Sequence, residues 1–404
     1  MEWWLMRSEH KIPFFLNFRQ IRRGNRWTLG FIVFLMAVAF INLVFVNSLF
    51  AGIVRSSNSQ IIDTLTGNIQ VTPADGKQVI SSASSLLRTI DDTAGVRAAT
   101  TRLTLPASLQ YGSVIGNWQV QVVDPQRESQ VTTISQSMIQ GAFLSQDATG
   151  QIILGSQVAG VGQDTNVNSM KGAQVGDKVT IMVGNESREL TVSGIFQTKY
   201  LFTDQMAFIN QKTLDGLEPG YADAASAILI RLNNPGDETK MLGELRASLP
   251  QVSVNGWQDS AGMMQSVISS FTTVNALLTV VGFIIAAVTI FIIIYVDISH
   301  KRRQIGVLRA IGIKGRIVRS TYVLQSVVYS VLGVLVGTAI FFGVLVPYFS
   351  VHPFRIPLGD VTLAASPVDF AVRAVAVVAV SILAGLIPAI LSTRNNILDE
   401  ITGN

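Results

Sequence analysis

Apolar residues in this chain fall into two regimes. Four runs are almost purely apolar, and a long middle stretch mixes apolar and polar residues at strand and helix spacing. The runs cover Thr28 to Val46, Val267 to Val296, Ile317 to Phe349 and Val368 to Leu391. Each approaches or exceeds the ~20 residues that cross a hydrocarbon core of about 30 Å. Four transmembrane helices follow, placed at 27–51, 263–298, 317–349 and 367–393. The first is read as an uncleaved span, because its apolar part is longer than a secretory signal's and no small-residue cleavage site follows it. Ahead of it, apolar and basic residues alternate between Ile12 and Arg22, which predicts an interfacial helix within 1–26.

The middle stretch, 52–262, predicts an α+β domain. Leu103 to Leu109, Trp118 to Val123, Val179 to Val183, Leu190 to Phe196, Ala207 to Ile209 and Ala227 to Leu232 are short β-type runs bounded by turn residues. Gly184 to Arg188 reads as a hairpin loop. Helices are expected at Gly76 to Asp91, Ser156 to Gly160 and Glu238 to Leu249, the last from Met241, Leu242, Leu245 and Leu249. Two strand-rich parts, about 65–135 and 150–235, suggest two subdomains.

A helical stripe precedes the second run: Met263, Met264, Val267, Ile268, Phe271, Val274 and Leu277 recur every three to four residues among serines and threonines. One helix over 258–297 would reach about 60 Å at 1.5 Å per residue, twice the hydrocarbon thickness. The excess is a stalk. Its stripe needs a cover, supplied by a second subunit, by the underside of its own domain or by the first span. Met263, Met264, Val267 and Phe271 could equally line a cleft for an amphiphile at the membrane surface.

Composition agrees with a membrane protein: mean hydropathy is +0.42 and only 14% of residues are charged, against about 25% in soluble domains. The basic residues lie where they orient the spans. Six Lys and Arg fall in 1–26 and seven in 297–320, whereas 350–366 holds only Arg355. Both termini, including the 394–404 tail, and the 299–316 loop are therefore expected in the cytoplasm, with the domain and 350–366 outside. The domain itself carries 14 basic and 19 acidic residues, so the basic chain offers no nucleic-acid surface.

Catalytic chemistry finds no support. There are no cysteines and three scattered histidines, His10, His300 and His352, which disfavours a metal centre. The phosphate-cradling G-x-x-x-x-G-K-[ST] motif is absent, as are H-E-x-x-H and G-x-S-x-G. Asp91-Asp92 and Asp237-Glu238 read as caps. Asp297 and His300, at the exit of the second run, read as snorkelling charges. Gly333 and Gly337 form a G-x-x-x-G that permits close helix approach.

The 299–316 loop carries the sequence's most specific text. Arg303-Gln304-Ile305-Gly306-Val307-Leu308-Arg309-Ala310-Ile311-Gly312 closely resembles the R-E-I-G-x-x-R-A-I-G segment of the MacB/LolCE/FtsX-like ABC transporter permeases. Ile152-Ile153-Leu154-Gly155-Ser156, Val175-Gly176-Asp177-Lys178-Val179 and Gly194-Ile195-Phe196 resemble the outer core domain of that family. Val123-Asp124-Pro125 is similar to text of its LolC and LolE members.

The resemblance implies a permease subunit, not an enzyme, in the inner membrane of the cell. The loop, with Arg302, Arg303, Gln304, Ile305, Gly306, Leu308, Arg309, Ala310, Ile311 and Gly312, would be a coupling helix on a cytoplasmic ABC ATPase dimer. That dimer would hold ATP and Mg, so this chain needs no cofactor. A second permease subunit would complete the pair, as a homodimer or heterodimer, and ATPase motion would pass through the stalk to a periplasmic domain. Release of lipoprotein or lipid is slightly favoured as the function. Efflux of drugs, peptides or glycolipids with a periplasmic adaptor, or FtsX-like signalling, are the alternatives. Gln304 stands where the family often has Glu, so an ion pair there is not assumed.

Overall fold

The computed structural model describes residues 26–74, 76–161, 168–217, 219–260 and 263–394. The interfacial helix expected in 1–26 and the 394–404 tail lie outside these residues, apart from Arg26 and Arg394. The chain divides into a membrane unit, 1–52, 270–354 and 362–404, and a head unit, 53–269 and 355–361.

Among the described residues, four helices are long and apolar enough to cross a bilayer. The first runs Arg26–Gln60 and continues as a π-helical stretch, Ile61–Thr66. The helix itself continues past 51, where the span was expected to end, while the membrane unit ends at Gly52. The polar residues Arg55 to Gln60 end the apolar run, but none of them breaks a helix, and Ile53, Ile61 and Leu65 keep an apolar side on the continuation. The second is a single helix, Met263–Ala310, of 48 residues, about 72 Å long at 1.5 Å per residue. It corrects the expected boundary at 298: the separate 299–316 element is, up to Ala310, the last turns of this same helix. Lys, Arg, Gln, Leu and Ala are good helix formers, so the charges that end the apolar run do not end the helix. The third comprises Gly315–Ile340, a π-helical turn Phe341–Leu345 and Val346–Val351; the fourth is Pro367–Arg394.

The third span buries its polar and small face: Thr321, Gln325, Ser326, Ser330, Gly333 and Gly337 are inward. In hydrocarbon, polar groups must find partners inside the protein while leucines and valines lose nothing by facing lipid. Gly333 and Gly337 accept the first span at close range. A side chain at Gly337 would come within 2.9 Å of Phe40, and one at Gly333 would collide with Met36. The G-x-x-x-G is thus occupied within the subunit.

In the head, ten strands share one sheet. They are β1 (Ile69–Pro73), β3 (Val96–Tyr111), β4 (Val114–Val123), β5 (Met138–Gly141), β6 (Gln151–Gly155), β7 (Lys178–Val183), β8 (Glu186–Phe196), β9 (Met206–Asn210), β11 (Ala227–Leu232) and β12 (Val252–Gly256). Two further pairs, β2 (Ile80–Ser81) with β10 (Ala224–Ala225) and β13 (Phe354–Ile356) with β14 (Gly359–Val361), stand apart. The sheet is mixed: β4 with β9 and β6 with β8 are parallel and the other pairs antiparallel. With helices Ala83–Asp91 and Glu238–Ser248, the head is α+β as expected.

Three expectations need correction. The helix at Gly76 to Asp91 begins only at Ala83, because Ile80 and Ser81 pair with Ala225 and Ala224. The hairpin turn is Gly184-Asn185 alone, and Glu186 to Arg188 already belong to β8. The two largest cores of the head do not divide at 65–135 and 150–235. One joins Ile69, Val71, Ile90, Ile228, Leu245 and Val254, the other Leu109, Val120, Ile152, Ile181 and Ile209. Strand β11 belongs to the first because it pairs with β1 and β3, a non-local contact that no local pattern encodes.

Resembling text also acquires local reasons. Asp124 caps the helix Pro125–Val131, accepting from the N–H groups of Gln126 (2.9 Å) and Arg127 (3.1 Å), with Pro125 at its first position. Asp177 accepts from the Tyr111 hydroxyl (2.7 Å) and the Gln174 N–H (2.8 Å). The Tyr111 hydroxyl, with the Gln174 N–H, holds its carboxyl below the usual carboxylate range.

Where the first long helix ends in the head, a buried charge pair receives it. Arg102 on β3 pairs with Glu128, which is fully buried, and donates to the carbonyls of Thr64 (2.9 Å) and Leu65 (3.3 Å). Glu128 also accepts from Thr132 (2.7 Å), and the Arg102 guanidinium lies 5.5 Å from the centre of the Phe208 ring. Gly67 closes the π-helical stretch at φ +67°, where a Cβ would lie 2.6 Å from the carbonyl of Ile230. The same stretch is held by an ion pair between Asp63 and Arg231 and by a 2.7 Å bond between Thr64 and Thr203. Removing one partner of a buried pair leaves an uncompensated charge and costs about 3–5 kcal/mol. Glu128→Ala in the detergent-solubilised full chain is therefore expected to lower the melting temperature of the head by about 10 °C, at roughly 2–4 °C per kcal/mol for a domain of this size. Intrinsic fluorescence on heating measures it, and a change under about 2 °C would contradict the role given to the pair.

Candidate coupling surface

The segment singled out in the sequence, Arg302 to Gly312, forms the end of the second helix and the corner that follows it. The corner is built by three backbone bonds: Ile311 N–H to the Val307 carbonyl (3.1 Å), Gly312 N–H to Arg309 (3.0 Å) and Ile313 N–H to Leu308 (3.1 Å). The last two are the paired bonds of a Schellman stop, and Gly312 adopts the φ of +100° that such a stop requires. Lys314, in extended conformation, then precedes the third span, which begins at Gly315. The sharp helix-to-helix corner thus explains why the glycine stands at the end of the R-A-I-G text.

Its surface divides by periodicity. Ile305 and Gly306 are buried against the membrane unit's core, where Val318 and Tyr322 also lie. Arg302, Arg303, Gln304, Val307, Ala310, Ile311 and Gly312 are exposed, with Leu308 and Arg309 half-buried. Ile311 is 73% exposed and Val307 49%. Two apolar side chains rimmed by arginines therefore face outward at the corner.

Behind the corner a polar network ties the second span to the third. Asp297 pairs with Lys301 one turn on (2.8 Å) and accepts from Gln325 Nε2 (3.0 Å), which also reaches the Tyr329 hydroxyl (2.7 Å). Gln325 is buried, and its Oε1 has no partner. Asp297 is thus a link between helices as well as an interfacial charge, whereas His300 is exposed. The sequence hinted at this: Tyr322, Gln325 and Tyr329 recur at three and four residues inside an apolar run.

Of the stalk residues, Phe271 is half-buried with its ring 6.0 Å from that of Phe50 on the first span. This contact within the subunit covers part of the stripe. The side chains of Met263, Met264 and Val267 lie outside the described residues. No group of three or more potential metal-binding side chains occurs among the described residues.

Residues 276–397, which contain the corner, the polar network, most of the second span and the last two, match the family model described as FtsX-like permease C-terminal. This part of the chain is similar to the C-terminal domain of FtsX-like permeases. The resemblance read from Arg303 to Gly312 falls inside it. The ABC transporter permease YtrF of Bacillus subtilis (strain 168) is 27% identical over 130 residues; the match spans 30% of this chain and 30% of that relative's length. Among solved structures, the periplasmic region of MacB from Actinobacillus actinomycetemcomitans aligns with a TM-score of 0.35 and 12% identity, over 50% of this chain and 94% of that one. The extracellular domain of the noncanonic ABC-type transporter YknZ from Gram-positive bacteria aligns with a TM-score of 0.35 and 9% identity, over 46% and 98%.

In the segment that matches this model, Gly312 is the residue on which the corner's shape depends. Placing Cβ at a left-handed position costs about 1 kcal/mol. Gly312→Ala is expected to raise hydrogen exchange at the Gly312 and Ile313 amides roughly fivefold, read by mass spectrometry on the intact protein. Unchanged exchange would mean that the corner does not depend on this stop.

Proposed function

We propose that this chain is the permease subunit of an ABC transporter of the MacB/FtsX type, working with a cytoplasmic ATPase dimer and a second permease subunit in the bacterial inner membrane. The observation that carries the reading is the exposed Val307/Ile311 pair with Arg302 and Arg303 beside it, at a corner inside the segment similar to FtsX-like permeases. The apolar centre would seat in a cleft of the ATPase while the arginines meet acidic groups around it. A charged rim selects and orients a partner more than it adds affinity.

Mechanically, nucleotide-driven closure of the ATPases would push the corner. The push would travel along the Met263–Ala310 helix, whose uninterrupted backbone hydrogen bonds make it stiff. In the head, the clamp of Arg102, Glu128, Asp63 and Arg231 would receive motion carried by the first helix. A nucleotide can bias the permease only through contacts that differ between two states, and the corner is the surface available for such contacts. Both termini would be cytoplasmic and the head periplasmic, by the distribution of Lys and Arg. The substrate would be lipidic or amphiphilic, with lipoprotein release favoured over efflux by the resemblance to LolC and LolE. The Asp124-Pro125 text adds little to that preference, since helix capping accounts for it.

The expected consequence is separable from folding. Arg303→Glu places an anion on the exposed face without touching the buried one. In a reconstituted transporter it should abolish ATP-driven transport and the permease's effect on ATP hydrolysis, with membrane abundance unchanged. Gly306→Pro should do the same by breaking the last turns of the helix, since proline removes a backbone donor there. Normal transport by Arg303→Glu would contradict the coupling assignment.

A further inference from the structure

A cavity of about 200 Å³ opens in the membrane unit, lined by Asn47, Ser48, Asn275, Asp369, Phe370 and Arg373 among others. It sits where the first span leaves its apolar run, about 28 Å along the helix from Thr28 at 1.5 Å per residue, which is one hydrocarbon thickness and so the level of lipid head groups. Its polar groups are incompletely satisfied. Asn47, 3% exposed, donates to the Leu43 carbonyl (2.7 Å) and accepts from Arg373 Nη2 (3.1 Å). Thr279 Oγ1 lies 2.8 Å from both Asn47 Oδ1 and the Asn275 carbonyl, its one proton shared between them. Arg373 Nε and Asn275 Oδ1 are buried with no hydrogen-bond partner.

Among the described residues, no carboxylate stands within ion-pair distance of Arg373. Asp369, one turn away on the same helix and also lining the cavity, is exposed and does not pair with it. A membrane arginine with an unfilled buried donor is costly to keep. Its remaining N–H groups form a fork that matches a phosphate bidentately. The carboxylate at the rim presents the opposite charge preference, suited to a cation that donates hydrogen bonds.

We propose that this cavity binds the zwitterionic head group of a phosphatidylethanolamine molecule in the leaflet at this end of the spans. The phosphate sits on the free Nη protons of Arg373, and the ammonium lies against Asp369 at the rim. The proposal requires only that the four helices lie in a bilayer, and it stands or falls separately from the transporter reading.

The test uses the full chain, purified in detergent and incubated with equimolar phosphatidylethanolamine, phosphatidylglycerol and diacylglycerol, with retained lipid identified by native mass spectrometry. Phosphatidylethanolamine is expected to be retained preferentially. Arg373→Gln should lower its retention about tenfold or more, the loss of charge-assisted bonds worth roughly 1.5–3 kcal/mol, and Arg373→Lys should lower it less. Asp369→Asn, a change on an exposed side chain, should shift the preference toward phosphatidylglycerol. Excess soluble glycerophosphoethanolamine should leave the bound lipid in place. Equal retention of diacylglycerol, unchanged retention in Arg373→Gln, or displacement by the soluble head group would overturn the proposal. Should Arg373→Gln fail to fold, Asp369→Asn decides: an unshifted lipid preference overturns it.

Discussion

The head is organised around one buried ion pair. Arg102 and Glu128 are both removed from water, and each is accounted for: the guanidinium by a carboxylate, two carbonyls and an aromatic face, the carboxylate by the guanidinium and a threonine hydroxyl. Buried charges are tolerable only when paired and hydrogen-bonded in this way. The two carbonyls belong to Thr64 and Leu65, among the last residues of the first long helix. A helix end has carbonyls without internal partners, and here a side chain from β3 supplies the missing donors. The end of a membrane-spanning helix is thereby made part of the sheet's polar interior.

The other long helix is governed by its stop. Charged residues between Lys301 and Arg309 continue the helix past the apolar run, and Gly312, in the left-handed conformation, ends it. Apolar Ile305 turns into the unit's core while Val307 and Ile311 face out, so one segment both anchors and exposes. Asp297, Lys301 and Gln325 then fasten this helix to its neighbour by polar contacts, which hold their geometry better than apolar packing does in a bilayer, where aliphatic side chains gain little by leaving lipid for protein.

Much of this was legible in the sequence, and the exceptions have physical causes. Span number, the α+β head, most of its strands and the corner's text could be read because hydropathy and alternation report burial directly. Helix ends could not. Hydropathy marks where the bilayer stops, and both long helices run past it on polar residues that do not break a helix. The subdomain division failed at β11, whose partners β1 and β3 lie over a hundred residues back along the chain. The Arg102–Glu128 pair spans only 26 residues, but it too is a tertiary contact, between β3 and the helix Pro125–Val131, that no local periodicity marks. The pairing of Gly333 with Met36, and the inward polar face of the third span, were half legible: the spacing was visible, but not which neighbour it met.

In the proposed transporter the corner and the head would respond together to nucleotide. Because the chain has no cysteine, a single spin label can be placed cleanly, for example at the exposed Ile139 of its head, with a second label on the head of the second permease subunit in the proposed transporter. The account expects the distance between these labels to change when a non-hydrolysable ATP analogue binds the partner ATPase. An unchanged distance in a transporter that still hydrolyses ATP and moves substrate would contradict it.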